Sequence, residues 1–366
     1  MRVAFLSFDF GEYSIRIASA LAEKADVLLL LPDREANPYL AMLNGSVQTH
    51  FFVKPRLRQP LAQFRAVARL LSEIRRFKPD VVHLQSGHLW FNLALPLLRR
   101  YPLVLTVHDA ERHVGDKDAQ NTPQWILDFG SFRARKVIVH APQVKEVLLR
   151  RLSIQNEDVH VIPHVLLGDE GQGRATEDEA TVLFFGRIWE YKGLEYLIRA
   201  EPSISARVPA AKIVIAGAGE NFDRYRRMMV NRERFIIFNE YLSGEKRADL
   251  FRRAAVVVLP YIEASQSGVI PLAYRFGKPV VATTVGGLPA LVEDGRTGYL
   301  VPPRDEGALA NAIVHLLQDR SLRQQFGAEG KRRINIDCAP EVIARKTLTV
   351  YREAVGRAGQ LLENPC

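Results

Sequence analysis

The feature that most constrains the fold of this chain is the alternation of short apolar, β-rich runs with helical stretches. Strands that form continuous apolar runs are typical of parallel sheets covered by helices on both faces. In the first half, the predicted strands are 2–7, 26–31, 80–84, 103–107, 136–140 and 159–163. The helices predicted between them lie near 12–24, 60–77, 88–100 and 142–152. This order predicts one α/β domain over residues 1–166.

The pattern breaks once and then restarts. Residues 167–180 are acidic, contain glycine and hold few apolar side chains, which predicts an exposed linker. After it, the predicted strands are 181–186, 212–217, 234–238, 255–260 and 279–283, and the predicted helices lie near 192–207, 221–232, 244–254, 268–276 and 305–318. A second α/β domain is therefore expected over 181–335, followed by a C-terminal segment, 336–366, with a long helix near 339–360.

The length of 366 residues fits two domains of about 150 residues each. In open α/β sheets, ligands bind beyond the carboxyl ends of the strands, where the strand order reverses. Two Rossmann-like domains facing each other across a cleft would therefore carry their functional side chains in the strand-to-helix loops of both halves.

Composition narrows the class of protein. No apolar run approaches the ~18 residues of a membrane-spanning helix, and the short apolar start before Asp9 predicts a buried strand rather than a signal peptide. The two cysteines, Cys338 and Cys366, exclude a disulfide framework and a cysteine zinc site. We expect a cytoplasmic protein, with a peripheral location on the inner face of the cell membrane left open.

The positive charge of the chain is local. The net charge is +9, and residues 54–78 hold eight basic residues against Glu73, so this segment alone carries +7. Within 60–77, apolar residues recur at helical spacing and predict one packed face, made of Leu61, Phe64, Val67, Leu71 and Ile74. The arginines that fall largely on another face are Arg58, Arg65, Arg69 and Arg76.

Two interpretations of segment 54–78 stay open. Its arginines are either the solvated side of an amphipathic helix or a surface that meets anionic lipid. Nucleic acid is not expected as a partner, because only Phe64 and Phe77 are interleaved with the cations and no nucleic-acid-binding motif is present.

The strongest chemical signal lies in the second half. Arg187 and Lys192 are five residues apart in a loop that follows strand 181–186 and opens a helix. Arginine through its planar fork and lysine as a point charge can hold one anionic group, although two solvated cations fit the same spacing. A second loop, residues 265–268 (SQSG), brings hydroxyls and backbone N–H groups to a predicted helix start. That arrangement suits either an anion site or an ordinary serine N-cap.

Several motifs surround these two loops in a specific order. They are GRIWEYKG (186–193), AGAG (216–219), GKPVVAT (277–283), VGGLP (285–289) and VEDGRTGYLVPP (292–303). From about 181 to 318 this order resembles the retaining GT-B glycosyltransferases of glycosyltransferase family 4. The first half is similar to the family more loosely, through DVVH, LTVHD and VIPH.

The resemblance implies that the C-terminal domain binds a nucleoside diphosphate sugar. Arg187 and Lys192 match the pair that holds the donor diphosphate. The residues that match the loop around the distal phosphate are Ser265, Gln266, Ser267, Gly268 and Val269. The residues that match the region contacting the nucleobase are Glu240, Tyr241 and Leu242.

The chain departs from the family at one motif. The family carries two glutamates eight residues apart, and the matching positions here are Ala264 and Leu272. Glu263 is one residue short of the first position. Because the first glutamate normally contacts the donor sugar, Glu263, Ser265 or Gln266 would have to take its place. The SQSG sequence then marks a subgroup of the family.

The resemblance also assigns residues in the first half. His108, in LTVHD, matches the histidine near the donor sugar and the reacting centre. Gly11, in the first strand-to-helix loop, and His83 are weaker candidates for the acceptor side. His164 closes VIPH and receives no chemical role. The resemblance also implies that the helix of the C-terminal segment, 336–366, packs back on the first domain.

The activity implied is transfer of a hexosyl unit, with retention of configuration, from a nucleoside diphosphate sugar to a sugar hydroxyl. A UDP-sugar is favoured over a GDP-sugar as donor, and the acceptor is a glycan or a lipid-linked oligosaccharide in bacterial surface polysaccharide or glycoconjugate synthesis. No cofactor is expected. No metal is expected either, because the one Asp-x-Asp, Asp116 to Asp118, lies in a polar loop and reads as solvated. The alternatives are a non-catalytic nucleotide-sugar sensor or assembly subunit, and a GT-B epimerase.

Overall fold

The computed structural model describes residues 1–85, 87–111, 122–168, 176–242 and 244–362. These residues form two compact units. The first unit holds the described residues up to 165 together with the C-terminal segment from residue 337, and the second unit holds those from 166 to 336. Asp116, Asp118 and half of the predicted linker, 169–175, lie outside the described residues.

The first unit is built on a parallel sheet of seven strands. The strands are β1 (Arg2–Ser7), β2 (Asp26–Pro32), β3 (Gln48–Phe52), β4 (Val81–Gln85), β5 (Leu103–Val107), β6 (Lys136–Val139) and β7 (Val159–Val161). Their order is β3-β2-β1-β4-β5-β6-β7, so it reverses between β1 and β4. Val3 in β1 pairs with Val27 on one side and with Val81 on the other.

Helices connect these strands in the first unit. They are α1 (Gly11–Leu21), α2 (Asp33–Ala36), α3 (Pro60–Phe77), α4 (Leu89–Ala94), α5 (Gln124–Arg133) and α6 (Pro142–Arg151). Helices α3 and α4 bury one side each in a hydrophobic cluster with β1, β2, β4 and β5. A 3-10 turn, Leu95–Leu98, continues α4.

The second unit repeats the same architecture with six parallel strands. They are β8 (Thr181–Phe185), β9 (Lys212–Ala216), β10 (Phe235–Phe238), β11 (Val256–Leu259), β12 (Val280–Thr283) and β13 (Gly298–Val301). Their order is β10-β9-β8-β11-β12-β13, with the reversal between β8 and β11.

The helices of the second unit enclose its core. They are α7 (Leu194–Ser205), α8 (Asp223–Met228), α9 (Gly244–Arg253), α10 (Val269–Arg275), α11 (Leu288–Leu291), α12 (Glu306–Gln318) and α13 (Arg320–Asp337). The core joins residues of β8, β9, β11 and β12 to α7 and α12. Asp305 caps α12 by accepting the N–H of Ala308 at 2.8 Å.

The last helix, α14 (Pro340–Leu362), belongs to the first unit. It packs on α1 and contacts β4 and β5. Lys136, in β6, is buried and forms ion pairs with Asp158 at 3.0 Å and with Glu353 of α14 at 3.4 Å. A buried cation therefore helps to hold this helix on the sheet.

The described end of the predicted linker packs on the second unit. Glu177 forms ion pairs with the buried side chains of Lys278, at 2.8 Å, and Arg323, at 3.1 Å. Asp178 N–H donates to Arg253 O at 2.8 Å. Residues 176–180 are thus anchored rather than free.

All eleven predicted strands are confirmed to within two residues at each end. The sequence pattern missed the strands β3 and β13, the helices α5 and α13, and the four-residue helices α2 and α11. Strand β3 is an edge strand whose residues are all partly exposed. Strand β13 is also an edge strand, begins with a glycine and has two partly exposed residues, so neither gives a continuous apolar run.

The packed face predicted for α3 is wrong at two positions. Val67, Leu71 and Ile74 are buried as expected, but Leu61 and Phe64 are 74% and 71% exposed. They lie in the first turns of α3, where the helix extends beyond the core beneath it. Within the described residues, no helix has the length and apolar character needed to cross a bilayer.

Candidate functional site

The strand order of the second unit brings the two predicted phosphate loops together. Its reversal lies between β8 and β11, which are hydrogen-bonded neighbours. Residues 186–193 follow β8, and residues 260–268 follow β11. Because ligands of open α/β sheets bind at such a reversal, the topology places Arg187, Lys192 and the SQSG loop at one edge of the sheet.

Tyr191 lies between the two cations. Arg187 Nη2 donates a hydrogen bond to the Tyr191 hydroxyl at 3.0 Å. Lys192 Nζ lies 4.8 Å from the centroid of the same ring. Tyr191 is buried, whereas Arg187 is exposed and Lys192 is half-buried. A buried phenol thus holds two positive charges close together at the surface of the unit.

A second buried tyrosine connects the cations to the SQSG loop. Lys192 Nζ lies 3.8 Å from the centroid of the Tyr261 ring. The Tyr261 hydroxyl lies 3.5 Å from Ser267 Oγ, which accepts the N–H of Val269 at 3.2 Å. Burial raises the pKa of Tyr261 above its ordinary value, so the phenol is neutral. Ser267 therefore engages the first backbone N–H of α10 while it contacts the tyrosine beneath the cations.

Glycines of the AGAG segment fix the path of the Arg187 loop. Ile188 N–H donates to Ala218 O at 2.9 Å. A Cβ at Gly217 would lie 1.8 Å from Gly186 O, and a Cβ at Gly219 would lie 2.0 Å from Ile188 O. No side chain fits at either position, so this motif serves the geometry of the neighbouring cationic loop.

The VGGLP segment supports the SQSG loop in the same way. Gly287 N–H donates to Ser265 O at 3.1 Å. Gly286 has a φ of +50°, and a Cβ there would lie 1.4 Å from Ala264 O. The backbone of one loop is therefore seated directly on the other, which explains why the two motifs occur together.

The two positions that match the family glutamates hold buried apolar residues in this chain. Ala264 and Leu272 are both buried, whereas Glu263 and Gln266 are half-buried. Gln266 Oε1 is shielded from solvent and has no hydrogen-bond partner among the residues that the structure describes. An amide oxygen in this state suits a ligand that donates a hydroxyl, which favours Gln266 over the other substitutes.

The predicted nucleobase region lies at the same edge of the sheet. It follows β10, which is two strands from β8 in the sheet order. Leu242 is buried, while Glu240 and Tyr241 are exposed. Glu240 forms an ion pair with Lys246 of α9. The predicted nucleobase region and the two cations therefore project from the carboxyl ends of strands in one sheet.

The first unit holds buried histidines at the carboxyl edge of its own sheet. His108 follows β5, His140 follows β6, and His164 comes shortly after β7. The ring centroids of His108 and His140 are 4.7 Å apart, and those of His140 and His164 are 5.1 Å apart. Tyr13 packs edge-on against His164 at 4.7 Å, and Phe10 stacks on His108 at 4.1 Å. These five residues form what we call the histidine cluster.

Hydrogen bonds determine which ring nitrogen carries the proton in His108 and in His140. His108 Nε2 lies 3.0 Å from Gln85 Oε1, so Nε2 donates and Nδ1 is left as the acceptor. His140 Nδ1 donates to Ile162 O at 2.9 Å. Neither His108 Nδ1 nor His140 Nε2 has a partner in the part of the chain that the structure describes.

Burial lowers the pKa of each histidine in the cluster. The pKa of His140 falls to about 3 and that of His164 to about 4, with burial as the largest cause. The pKa of His108 lies well below its ordinary value, first through burial and then through the neighbouring histidines. All three imidazoles are neutral at pH 7, so His108 can offer a hydrogen bond but not a charge.

His83 and Gly11, the two candidates for the acceptor side, have structural partners. His83 Nδ1 lies 2.5 Å from the Tyr351 hydroxyl, and its Nε2 lies 2.8 Å from Thr106 Oγ1. A Cβ at Gly11 would lie 2.0 Å from Glu35 O. His83 links α14 to the sheet and Gly11 lets α1 approach α2, which favours a structural role for both.

Sequence reasoning gave no role to Tyr13, His140 or His164. One signal could have found the histidines, because LTVH, VIVH and VIPH place a histidine at the ends of three consecutive strands. The carboxyl ends of parallel neighbours meet at one edge. The strands β5, β6 and β7 are such neighbours, so the three histidines converge.

His108 also lines a shallow pocket of the first unit. The pocket includes Asp109 beside it, Gly87, and Gln124 and Asp128 of α5. Asp128 is held by Arg151 Nη2 at 2.9 Å. Carboxylates and an amide at this position suit a ligand rich in hydroxyl groups. In the described ranges, no three histidine, cysteine, aspartate or glutamate side chains, the histidine cluster included, are arranged so that they could hold a metal ion. Asp116 and Asp118 fall outside these ranges.

Comparison with known families accounts for most of the chain. A model described as glycosyl transferases group 1 matches residues 179–319. A model described as glycosyltransferase family 4 matches residues 11–165. The chain is 32% identical over 304 residues to an uncharacterized glycosyltransferase of Methanocaldococcus jannaschii, with 77% of each chain covered. It is 29% identical over 312 residues to D-inositol 3-phosphate glycosyltransferase of Corynebacterium diphtheriae, covering 75% of this chain and 71% of that one.

Solved structures share the fold. Sucrose-phosphate synthase from Thermosynechococcus elongatus superposes with a TM-score of 0.75 at 21% identity, over 98% of this chain and 100% of that one. Anabaena HepE in complex with UDP-glucose superposes with a TM-score of 0.72 at 19% identity, over 95% and 99% of the two chains. The two Rossmann-like sheets therefore form the GT-B fold.

Proposed function

Because the chain belongs to glycosyltransferase family 4, with the group 1 domain in its second unit, we propose that it is a retaining hexosyltransferase that uses a UDP-sugar. The acceptor is a sugar hydroxyl of a glycan or a lipid-linked oligosaccharide. The product serves bacterial surface polysaccharide or glycoconjugate synthesis.

The observation that carries this proposal is the arrangement of Arg187, Lys192 and Tyr191. Both cations are tied to one buried ring, through a hydrogen bond at 3.0 Å and a ring contact at 4.8 Å. Glycosyl transfer passes through an oxocarbenium-like state while negative charge grows on the leaving diphosphate. Two positioned cations stabilise that charge where it develops. Ser267 and Gly268 end the loop that joins the neighbouring strand β11 to α10, where they can border the same diphosphate.

The remaining residues of the donor side would recognise the sugar and the base. Gln266 Oε1 offers a shielded acceptor for a donor hydroxyl, and Glu263 offers a carboxylate next to it. Glu240, Tyr241 and Leu242 border the base. HepE, which shares the fold, was solved with UDP and with UDP-glucose, and this supports UDP over GDP as the nucleotide.

His108 would act without a charge. Its neutral ring presents Nδ1 as a hydrogen-bond acceptor while Gln85 holds Nε2. Such a group can orient a sugar hydroxyl near the reacting carbon but is a weak base at this pKa. The proton of the acceptor hydroxyl would therefore pass to the leaving phosphate. The bond from the anomeric carbon to the diphosphate breaks as the bond to the acceptor oxygen forms on the same face.

The test is calorimetric binding of UDP, GDP and ADP to the full chain and to the variant Arg187→Ala/Lys192→Ala. Charged hydrogen bonds contribute roughly 1.5–3 kcal/mol each, so losing both cations should weaken UDP binding by about 100-fold or more. Arg199→Ala, which removes an exposed arginine of α7 stacked on Tyr196, is the matched control and should keep its affinity.

Turnover separates the enzyme from its alternatives. The proposal requires that UDP is released from a UDP-hexose only when an acceptor is supplied. Selective UDP binding with no release across a panel of glycans would favour a sensor, and conversion of the UDP-sugar to its epimer would favour an epimerase. Failure of every nucleotide to bind would refute the donor site itself.

A further inference from the structure

One side of the first unit carries several large apolar side chains that are exposed. The structure describes fifteen large apolar side chains that are exposed, and six of them lie on α3, on α4 with its 3-10 extension, and on α5. Their exposed fractions lie between 51% and 74%. The six are Leu61, Phe64, Leu93, Leu97, Trp125 and Phe132. We call this set the apolar face.

Direct contacts show that these helices are neighbours. Asn92 Nδ2 of α4 donates to Ile126 O of α5 at 2.9 Å. Arg75 Nη2 of α3 donates to Leu97 O at 3.3 Å. The opposite sides of α3 and α4 are buried in one hydrophobic cluster on the sheet, and Ile126 of α5 is fully buried. The exposed sides of all three helices therefore point away from the same face of the sheet.

The apolar face is surrounded by positive charge. Residues 54–100 hold ten basic and two acidic residues, a net charge of +8 within a chain of +9. All ten basic side chains are exposed, and they are Lys54, Arg56, Arg58, Arg65, Arg69, Arg75, Arg76, Lys78, Arg99 and Arg100. The acidic residues are engaged, Glu73 with Arg76 and Asp80 with the Arg2 N–H.

From this combination we infer that the apolar face binds the surface of an anionic lipid bilayer. Leucine and aromatic side chains enter the boundary between headgroups and acyl chains, while arginines around them meet the negative headgroups. An apolar patch of this kind on a soluble unit marks an interaction site. The inference goes beyond sugar transfer, and it would place the first unit against the membrane in which a lipid-linked acceptor resides.

Charge argues against other occupants of the face. A second copy packed on it by two-fold symmetry would bring two copies of the basic segment 54–100 together, which is repulsive. A nucleic acid would use the arginines but would leave Leu61, Leu93 and Leu97 without a partner. An anionic bilayer satisfies both the charge and the apolar side chains.

The test is co-sedimentation of the full chain with vesicles of phosphatidylcholine alone and of phosphatidylcholine mixed with phosphatidylglycerol. Binding should require phosphatidylglycerol and should weaken at high salt. Leu61→Ser/Phe64→Ser should lower the partition coefficient about tenfold or more, because two large apolar side chains no longer enter the boundary. Arg65→Gln/Arg69→Gln should lower it about fivefold per cation.

The second unit offers matched controls. Val230 is 74% exposed and lies between the exposed Arg227 and Arg232. Val230→Ser and Arg227→Gln/Arg232→Gln should bind vesicles like the unchanged protein. The assay needs no nucleotide, and UDP binding measured in parallel shows whether each variant is folded, so failure of this inference is distinguishable from failure of the proposed donor site.

Three results would overturn the inference. One is an absence of binding to phosphatidylglycerol vesicles at low salt. Another is equal loss of binding in the Val230 and Leu61/Phe64 variants. The third is a dimer, seen by sedimentation velocity, that Leu61→Ser/Phe64→Ser dissociates while lipid binding stays unchanged, since this would assign the face to a second copy.

Discussion

The two candidate regions both lie at the carboxyl edge of a Rossmann-like sheet, but they differ in charge. In the second unit, two cations project from the sheet edge over buried tyrosines, and Arg187 is exposed. In the first unit, the corresponding edge holds three buried imidazoles without charge. In the function that we propose, the permanent charge of the second unit would meet a diphosphate, and the neutral hydrogen-bonding groups of the first unit would meet sugar hydroxyls. A glycosyltransferase needs both, because its donor is charged and its acceptor hydroxyl is not.

The largest effect that distinguishes the two units is expected from a change in pH. The buried histidines of the first unit have pKa values lowered by burial, to about 3 for His83 and His140 and about 4 for His88 and His164. In the unfolded chain they titrate near 6.5. The unfolded state therefore binds more protons below that pH, and each histidine removes up to about 1.4 kcal/mol of stability per pH unit as the pH falls from about 6.5 towards 4.

We expect hydrogen exchange of β4, β5 and β6 to show a steep loss of protection between pH 6.5 and 4.5, with no comparable loss in β8 and β11. Asp109 and Glu12 raise the pKa values of His140 and His164, but less than burial lowers them. His140→Gln keeps a donor for Ile162 O and should reduce the dependence by about one proton. Equal acid sensitivity of the two sheets would show that the histidines do not distinguish the units.

The second prediction tests whether the donor side depends on backbone geometry. Gly193 has a φ of +62°, and a Cβ there would lie 1.9 Å from Pro260 O. Gly277 has a nearly equal φ of +64° but open space around it. Gly277→Ala should cost about 1–2 kcal/mol for the left-handed conformation alone. Gly193→Ala adds a backbone clash, for a total of roughly 3–4 kcal/mol.

Urea unfolding followed by hydrogen exchange of β8 and β11 measures both costs. Gly193→Ala should also weaken UDP binding, because its loop carries Lys192, while Gly277→Ala should not. Equal destabilisation by the two substitutions would mean that the loop after β8 moves away from Pro260 without penalty, and that the cations are not held by the backbone.

The same contrast explains how far the sequence could predict the molecule. Arg187 and Lys192 share one loop, and the motifs around them follow one another closely along the chain, so local sequence was enough to propose the donor side. The histidine cluster is assembled from the ends of three strands and from Tyr13 of α1. Its members are far apart in sequence, so only the sheet order brings them together.

Tertiary structure also explains why the sequence did not predict helix α13 or the exposure of the first turns of α3. Helix α13 shows little apolar periodicity and contains Gly327 and Gly330, which disfavour a helix in isolation. A Cβ at Gly327 would lie 1.8 Å from Gly277 O, so tertiary contact requires the residue that lowers local helix propensity. Leu61 and Phe64 fit the helical pattern of α3 as well as Val67 does, and periodicity cannot tell where the core beneath a helix ends.

The smallest expected effect tests the link between the buried tyrosine and the exposed arginine. Tyr191→Phe keeps the ring beside Lys192 and removes only the hydroxyl that accepts from Arg187 Nη2 at 3.0 Å. A hydrogen bond of this kind contributes about 0.5–1.5 kcal/mol, so calorimetry should show UDP binding weakened by up to about tenfold. Tyr196→Phe, five residues further on in α7, should leave the affinity unchanged. If Tyr191→Phe also left it unchanged, the Tyr191 hydroxyl would not be the group that positions Arg187 for the nucleotide.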